Sequence, residues 1–215
     1  IWYGSGRAKG QLLNCFVIPT DDSREGWGQT VKDMLIISGT GGGVGTNYSP
    51  IRPRGTPIKG TGGEATGAVS LMEIINQTGE VIKAGGGRRT ALMMCLRYDH
   101  ADIMEFLNAK LDLERLNNAN ISVLVDDAFF EQVEKGGDIV LKFRDRPLLD
   151  EEGDERIIPA QELWDKIIEN SWESAEPGLL NIGLANKMNN LHYSKPLIAT
   201  NPCGEIWLEA YWGLC

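Results

Sequence analysis

The sequence predicts a parallel α/β fold built as a single domain. Apolar, strand-like runs alternate with helical segments about five times along the 215 residues. The strand-like runs are apolar on both faces, which is typical of strands buried inside a parallel sheet. Neither a short repeat nor a low-complexity linker interrupts the chain. One domain is therefore the simplest organisation.

Three strands and two helices are expected in the first half of the chain. The strand at 11–19 ends at Pro19, because proline cannot donate to a strand ladder. Asp22 or Ser23 can cap the next helix, which runs to about Ser38. Three apolar residues are expected on its inner face: Val31, Leu35 and Ile36. The remaining elements of this half are an extended run at 44–51, a helix near 68–84 and a strand at 90–97.

The second half predicts two further strands between helices. Asp99 can cap a helix at 100–110, and a strand at 119–125 precedes a short helix closed by glycine. Pro159 opens a long helix. Its expected core stripe comprises Leu163, Trp164, Ile167, Ile168 and Trp172. The other elements are a hairpin that joins 139–147 to 155–159 and a fifth buried strand at 178–185.

Composition excludes several classes of protein. A net charge of -9 without a basic block argues against general nucleic-acid binding. No apolar run reaches membrane-spanning length and the first residues given show no signal-peptide pattern, so we expect no membrane partner. Four cysteines without an export signal, none in a Cys-x-x-Cys pair, predict a reducing, cytoplasmic setting. With only His100 and His192, a zinc site is poorly supported and no metal is expected.

The stretch with the most chemistry is Asn201-Pro202-Cys203-Gly204-Glu205. If it is extended, its amide, thiol and carboxylate point to one side. Pro202 fixes one φ angle and Gly204 permits backbone paths that other residues resist. The alternative is a turn with an incidental buried cysteine, and these five residues alone do not decide between the two.

Two glycine-rich or cationic loops could hold an anion. Neither a P-loop nor a dinucleotide fingerprint occurs. The Gly-Gly-Gly-Arg-Arg segment at 85–89 offers backbone N–H groups and guanidinium forks, although a flexible turn with solvated arginines is the simpler interpretation. Arg52, Arg54 and Lys59 share a proline-bounded loop that is either a second cationic site or ordinary surface charge. Cys95 is expected to be an apolar filler.

Several stretches, spread in order over nearly the whole chain, resemble one family. They are LLNCFVIP, GGGVGTNYSPIRPRGTPIKG, GGGRRTALM, NNANISV, EPGLLNI and TNPCGE. Together they are similar to the catalytic subunit of ribonucleotide reductase. The NPCGE form most resembles the adenosylcobalamin-dependent class, since the oxygen-dependent class more often has another residue where Pro202 stands.

The resemblance implies a ten-stranded α/β barrel made of two five-stranded halves. A finger loop threads such a barrel and carries the radical cysteine at its tip. Residues 1–215 would be the first half, with five βα units and the finger, and Cys215 would open the sixth strand. The first residue, Ile1, and the stop at Cys215 also suggest a fragment without the second half. Such a half-barrel is expected to leave one sheet face uncovered.

The resemblance also implies the catalytic roles. Cys203 would become a thiyl radical and abstract the ribose 3′ hydrogen, and Glu205 would take the proton of the 3′-OH. Asn201 would hydrogen-bond the ribose hydroxyls. Cys15 and Cys215 would deliver reducing equivalents and end as a disulfide, which requires their Cα atoms to lie within roughly 7 Å.

The nucleotide contacts follow from the same resemblance. Asn14 and Arg88 would join Asn201 in binding the substrate, with Arg88 on the loop that passes effector identity to the substrate base. Four residues match the binding site for deoxynucleotide effectors: Asp22, Ser23, Arg52 and Lys59. Lys59 replaces an arginine found in some relatives, which weakens a bidentate grip on phosphate.

The implied cofactor is adenosylcobalamin, and the implied partners are ribonucleotide substrates, deoxynucleotide effectors, a thioredoxin- or glutaredoxin-type reductant and a second copy of the chain in a homodimer. One alternative is the large subunit of an oxygen-dependent reductase with a separate radical-generating subunit. Another is a nucleotide-binding regulatory module with structural cysteines. The module predicts that Cys15 and Cys215 lie far from Cys203, whereas the enzyme places all three around one cavity.

Overall fold

The computed structural model describes residues 5–6, 10–60, 62–84, 88–112 and 114–214. Its helices are α1 (Arg24–Gly39), α2 (Ala68–Val81), α3 (Ile103–Asn108), α4 (Asp127–Lys135), α5 (Ala160–Ser174) and α6 (Ile182–Lys187). Its strands are β1 (Cys15–Ile18), β2 (Gly43–Asn47), β3 (Pro57–Ile58), β4 (Gly63–Glu64), β5 (Lys83–Ala84), β6 (Arg88–Arg89), β7 (Leu92–Arg97), β8 (Ala119–Val125), β9 (Asp138–Val140), β10 (Lys142–Phe143), β11 (Arg146–Pro147), β12 (Ile157–Pro159), β13 (Gly178–Asn181), β14 (Ala199–Thr200), β15 (Trp207–Leu208) and β16 (Gly213–Leu214).

A central sheet with the strand order β13-β8-β7-β2-β1-β16 organises the described chain. The five strands from β13 to β1 run parallel to one another, and they are the five strands that the apolar runs predict. β16 pairs antiparallel with β1 at the edge. The predicted parallel α/β fold is therefore confirmed, as is the hairpin of β9 with β12.

The two faces of this sheet bury different partners. Alternate side chains such as Val44, Met94 and Val123 pack with the helices in the main core. The residues between them form a second, smaller cluster on the opposite face, which includes Val17, Met93, Cys95 and Leu124. A parallel sheet covered on both faces explains why its strands read as apolar throughout.

Local signals set the helix ends. Ser23 caps α1 as predicted, its Oγ accepting a hydrogen bond of 2.9 Å from the backbone N–H of Gly26. Asp126 caps α4 in the same manner. Gly136 ends α4 in the left-handed region, with φ +63°. The predicted cap at Asp99 is wrong, because Asp99 pairs with Arg97 at 2.9 Å and α3 begins only at Ile103.

The predicted inner faces of two helices need correction. α1 buries Thr30, Met34 and Ser38, whereas Leu35 and Ile36 are 43% and 58% exposed. α5 buries Ala160, Leu163, Ile167 and Asn170, whereas Ile168 and Trp172 are 48% and 89% exposed. Polar residues hold core positions at helical spacing in both helices: Thr30 and Ser38 in α1, and Asn170 in α5. Leu35 and Ile168 each follow a buried residue by one position, which turns them about 100° away from the buried row.

A hairpin of β14 and β15 covers part of the second sheet face. Ala199 and Leu208 are buried there, with Ile198, Ile206 and Trp207 packed around them. The contact is close because a Cβ atom at Gly45 of β2 would lie 1.7 Å from the carbonyl oxygen of Thr200. The sheet face expected to be uncovered is thus partly covered by the chain itself. No helix in the described part of the chain is long and apolar enough to cross a membrane.

Candidate active site at the hairpin tip

Residues 201–206 form a tight turn at the tip of the β14–β15 hairpin. The N–H of Gly204 donates to the carbonyl of Asn201 at 3.1 Å, and Gly204 has φ +85°. Asn201 and Ile206 close the base of the turn through two bonds of 3.0 Å, one of them to the Asn201 side chain. The extended arrangement is therefore wrong, because Gly204 takes the left-handed conformation and reverses the chain.

The turn brings residues from both ends of the chain together. The side-chain amide of Asn201, which is fully buried, donates to the sulfur of Cys15 at 3.4 Å. Cys203 is exposed beside this contact. A small cavity of about 70 Å³ opens between the turn and the first residues of the parallel strands. Its lining includes Asn14, Cys15, Arg89, Pro202 and Cys203.

The surroundings of Cys203 keep its sulfur protonated. Partial burial raises the pKa of this thiol, and the charges of Glu205 and Cys15 raise it further. Cys95, which is buried beneath the hairpin, has its pKa raised to about 12 mainly by desolvation. A protonated, exposed thiol suits the donation of a hydrogen atom better than nucleophilic attack, which requires the thiolate.

The remaining predicted catalytic and substrate residues fall in several places. Glu205 is exposed at the tip, close enough to influence the Cys203 thiol. Asn14 lines the cavity, and its carbonyl accepts from Gly43 at 2.7 Å. Cys215 and the side chain of Arg88 lie outside the described residues. The two residues that precede Cys215 in the sequence form β16, whose pairing joins Leu214 to Cys15.

A second pocket, of about 360 Å³, lies where α1 begins. Asp22, Ser23 and Arg52 line it, together with Trp27 and Ile58. The guanidinium of Arg52 donates to both carboxylate oxygens of Asp22, at 2.9 and 3.0 Å. Three of the four predicted effector residues are thus neighbours. Lys59 is exposed in the adjoining loop and is not part of this lining.

Two further residues at the turn or its cavity were not predicted from the sequence. The side chain of Arg89 lines the cavity. Asn120 on β8 donates to the carbonyl of Pro202 at 3.0 Å. The available signal for Asn120 was a polar residue in the mostly apolar strand ANISVLV. In the residues that the structure describes, no group of three His, Cys, Asp or Glu side chains could hold a metal ion.

Comparison of the sequence with known proteins identifies the family that this chain resembles. Residues 13–213 match the family described as "Ribonucleotide reductase, barrel domain". A protein of Thermoplasma acidophilum named "Vitamin B12-dependent ribonucleoside-diphosphate reductase" is 40% identical over 210 residues, which are 96% of this chain and 26% of that protein. One of the same name from Mycobacterium tuberculosis is 34% identical over 96% of this chain and covers 29% of its own length.

Relatives of a second type match as well. The "Ribonucleoside-diphosphate reductase large subunit" of Danio rerio is 32% identical over 227 residues, covering 95% of this chain and 29% of that protein. The chain thus spans between 26% and 29% of the length of these three relatives. With residues 13–213 matched, the chain belongs to the ribonucleotide reductase barrel-domain family.

Proposed function

We propose that the whole protein reduces ribonucleotides to 2′-deoxyribonucleotides for DNA precursor synthesis by radical chemistry at Cys203. The observation that carries this proposal is the junction of the turn with β1, where the Asn201 amide contacts the Cys15 sulfur across 186 residues of sequence. This contact sets an exposed thiol beside a second thiol at one cavity. The alternative, a nucleotide-binding regulatory module with structural cysteines, predicts instead that Cys15 lies far from the turn.

The chemistry balances with two further thiols as the reductant. The Cys203 thiyl removes the 3′ hydrogen atom from the ribose while the Glu205 carboxylate takes the proton of the 3′-OH. The 2′-OH leaves as water after it gains a proton from the Cys15–Cys215 pair. That pair supplies two electrons and two protons and becomes a disulfide. One proton leaves in the water, and the other, with the two electrons, forms the new C2′–H bond, while Glu205 returns its proton to the 3′ oxygen. Cys203 finally returns its hydrogen atom to C3′ and is ready for another cycle.

The described residues support these steps through position and protonation. Asn201 has its oxygen bonded to Ile206 and its amide group at Cys15, so its orientation is fixed where a ribose hydroxyl would bind. The raised pKa of Cys203 keeps the hydrogen on sulfur at neutral pH. Apolar packing beneath the turn excludes water from one side of the site.

We infer adenosylcobalamin as the cofactor. When bound, it supplies the radical that removes the hydrogen atom from Cys203. The exposed position of this thiol at the end of the hairpin fits a radical source that reaches it from outside the sheet. The names of the Thermoplasma and Mycobacterium relatives support this class. The Danio rerio relative keeps the oxygen-dependent class as the alternative.

Cofactor dependence distinguishes the two classes. The full-length protein is to be incubated with ribonucleoside diphosphates or triphosphates and a dithiol, with and without adenosylcobalamin, and the deoxynucleotide product measured by chromatography. We expect product only with the cofactor, and a change in the cobalamin absorption spectrum in the same sample. Turnover that requires a separate radical-generating protein and no cobalamin would assign the protein to the oxygen-dependent class instead.

We also propose the first half of a ten-stranded barrel for this domain, with the β14–β15 hairpin as its finger. The five parallel strands in chain order and the antiparallel β16 beside β1 support this arrangement. A homodimer is proposed as well. The exposed apolar residues Leu35, Ile74 and Val81 on neighbouring helices α1 and α2 support it, and sedimentation of the full-length protein would measure it.

The pocket at the start of α1 is proposed to bind deoxynucleotide effectors. A cation at Arg52, an aromatic ring at Trp27 and the capped end of a helix suit a nucleotide. A thioredoxin- or glutaredoxin-type protein is proposed to regenerate the thiols, which places the enzyme in the reducing cytoplasm. Of the described cysteines, all three are free thiols, in keeping with that compartment.

Replacing Arg52 by glutamine tests the effector pocket. Arg52→Gln should weaken deoxynucleotide binding to the full-length protein by roughly 10-fold or more, since a charge-assisted contact to phosphate is worth about 1.5–3 kcal/mol. Equilibrium dialysis with labelled deoxynucleoside triphosphates measures this. Arg156→Gln, which changes an exposed arginine elsewhere, should bind as the parent does. Equal affinity of both variants would argue against this pocket.

A further inference from the structure

One polar side chain of the sheet reaches the backbone of the turn just before Cys203. Asn120, on β8, donates from its side-chain amide to the carbonyl oxygen of Pro202 at 3.0 Å. The peptide that joins Pro202 to Cys203 is planar. Fixing the direction of its carbonyl therefore also fixes the direction of the Cys203 N–H. Asn120 thus sets the orientation of the backbone at Cys203.

Besides this bond and the Asn201–Cys15 hydrogen bond, the turn meets the sheet through steric contacts. A Cβ atom at Gly43 would lie 2.6 Å from the Pro202 ring, so the ring sits directly over β2. The methyl of Met93 lies 3.6 Å from the position that a Cβ of Gly204 would take. Packing of this kind limits how near the turn lies to the sheet. It is less able to set the rotation of a peptide plane, which a directional hydrogen bond does.

Asn120 is itself held by an ion pair that flanks it. Lys110 and Glu176 lie 2.7 Å apart, and their side chains are only 16% and 17% exposed. The Lys110 ammonium donates to the carbonyl of Ala119 at 2.7 Å, and the Glu176 carboxylate accepts from the N–H of Ile121 at 3.1 Å. Both backbone groups next to Asn120 are therefore fixed by charged partners, which form strong hydrogen bonds.

The Lys110–Glu176 pair lies at the start of β8, before the residues that pair with β13. The register of β8 with β13 starts at Ser122, opposite Gly178. Ile121 lies one residue earlier, so the Glu176 carboxylate takes the place of a backbone acceptor there. On its other side, Asn120 is opposite Met93 of β7. The end of β8 that carries Asn120 is thereby kept in the sheet.

We propose that Asn120 is a positioning residue that aims the Cys203 sulfur at the ribose, with the Lys110–Glu176 pair holding Asn120 in place. The proposal rests on the proposed reaction of Cys203. A hydrogen-atom transfer needs close approach of the sulfur to one C–H bond, so a small rotation of the turn lowers the rate. Substrate binding depends on other groups and should change little.

The test uses the full-length protein with Asn120→Ala and Asn120→Leu, of which the second keeps the size of the side chain without its hydrogen bond. We expect kcat to fall roughly 10- to 100-fold, as for a reacting group displaced by about 1 Å, with KM within about twofold. A second measurement requires no turnover. The rate of alkylation of Cys203 by iodoacetamide is followed against pH, with the modified peptide identified by mass spectrometry.

The alkylation profile reports the position of the thiol itself. Burial is the largest cause of the raised pKa of Cys203, and Cys15 on β1 adds to it, so movement of the turn away from the sheet should shift the profile to lower pH. Asn190→Ala, a change at an exposed asparagine, should leave kcat and the profile unchanged. Unchanged kcat in both Asn120 variants, or a loss of kcat with an unchanged alkylation profile, would overturn the positioning role. Inactivity of the parent protein combined with a shifted profile would instead count against the proposed reaction alone.

Discussion

Replacing Cys203 by serine in the full-length protein is expected to abolish ribonucleotide reduction. The serine O–H bond is much stronger than the S–H bond of cysteine, so the hydroxyl cannot be cycled as a hydrogen-atom donor. Removal of a group that reacts directly with the substrate typically costs roughly 10⁴-fold or more in kcat. We expect at least that loss in deoxynucleotide formation, measured by chromatography under saturating substrate.

Binding and folding provide the controls for this variant. Cys203 is exposed, so Cys203→Ser should keep the melting temperature of the parent protein and its affinity for ribonucleotides. Cys95→Ala changes a buried cysteine beneath the same hairpin and should retain measurable turnover. If Cys203→Ser still turned over at a rate comparable to the parent, the assignment of the radical to this residue would be lost.

A methyl group at Gly45 is expected to displace the whole hairpin. A Cβ atom at that position would lie 1.7 Å from the Thr200 carbonyl oxygen and 2.8 Å from the Thr200 carbonyl carbon. Backbone atoms cannot rotate away as a flexible side chain can, so the hairpin must move off β2. Gly45→Ala should therefore reduce turnover about 100-fold or more and lower the melting temperature, because overpacking costs about 1–3 kcal/mol.

Gly28→Ala is the matched control for this steric argument. Gly28 lies within α1, and a Cβ atom there would meet no heavy atom within 4 Å. Alanine is favoured over glycine in helices by about 1 kcal/mol. This variant should melt at the same temperature as the parent or higher, with unchanged turnover. Equal turnover for Gly45→Ala and Gly28→Ala would show that the close contact with Thr200 has no role in activity.

Patterns of local sequence predicted most of the sheet. The five parallel strands are continuous apolar runs because both their faces are buried, and that signal needs no knowledge of distant residues. Ser23 and Gly136 likewise mark helix ends through their own chemistry. The inner faces of α1 and α5 were harder, since Met34 and Asn170 are buried while more apolar neighbours such as Trp172 are exposed.

The candidate site could be predicted in its residues but not in its geometry. The resemblance to ribonucleotide reductases, now supported by the family match over residues 13–213, pointed to Asn201, Cys203 and Glu205. The roles of these residues stay predictions. Local rules could not show that the segment turns at Gly204, that Gly45 meets Thr200, or that Asn120 reaches Pro202. The turn depends on the backbone conformation of one residue, Gly204. The other two contacts join residues that lie far apart in the sequence.

The junction of Asn201 with Cys15 also fixes when the site can first exist. These residues are separated by 186 positions. At about 5–20 residues per second, a ribosome needs roughly 10–40 s to advance from one to the other. Throughout that interval β1 and its thiol are already synthesised, while the turn that completes the site is not. Assembly of the site is therefore a late, non-local event in folding.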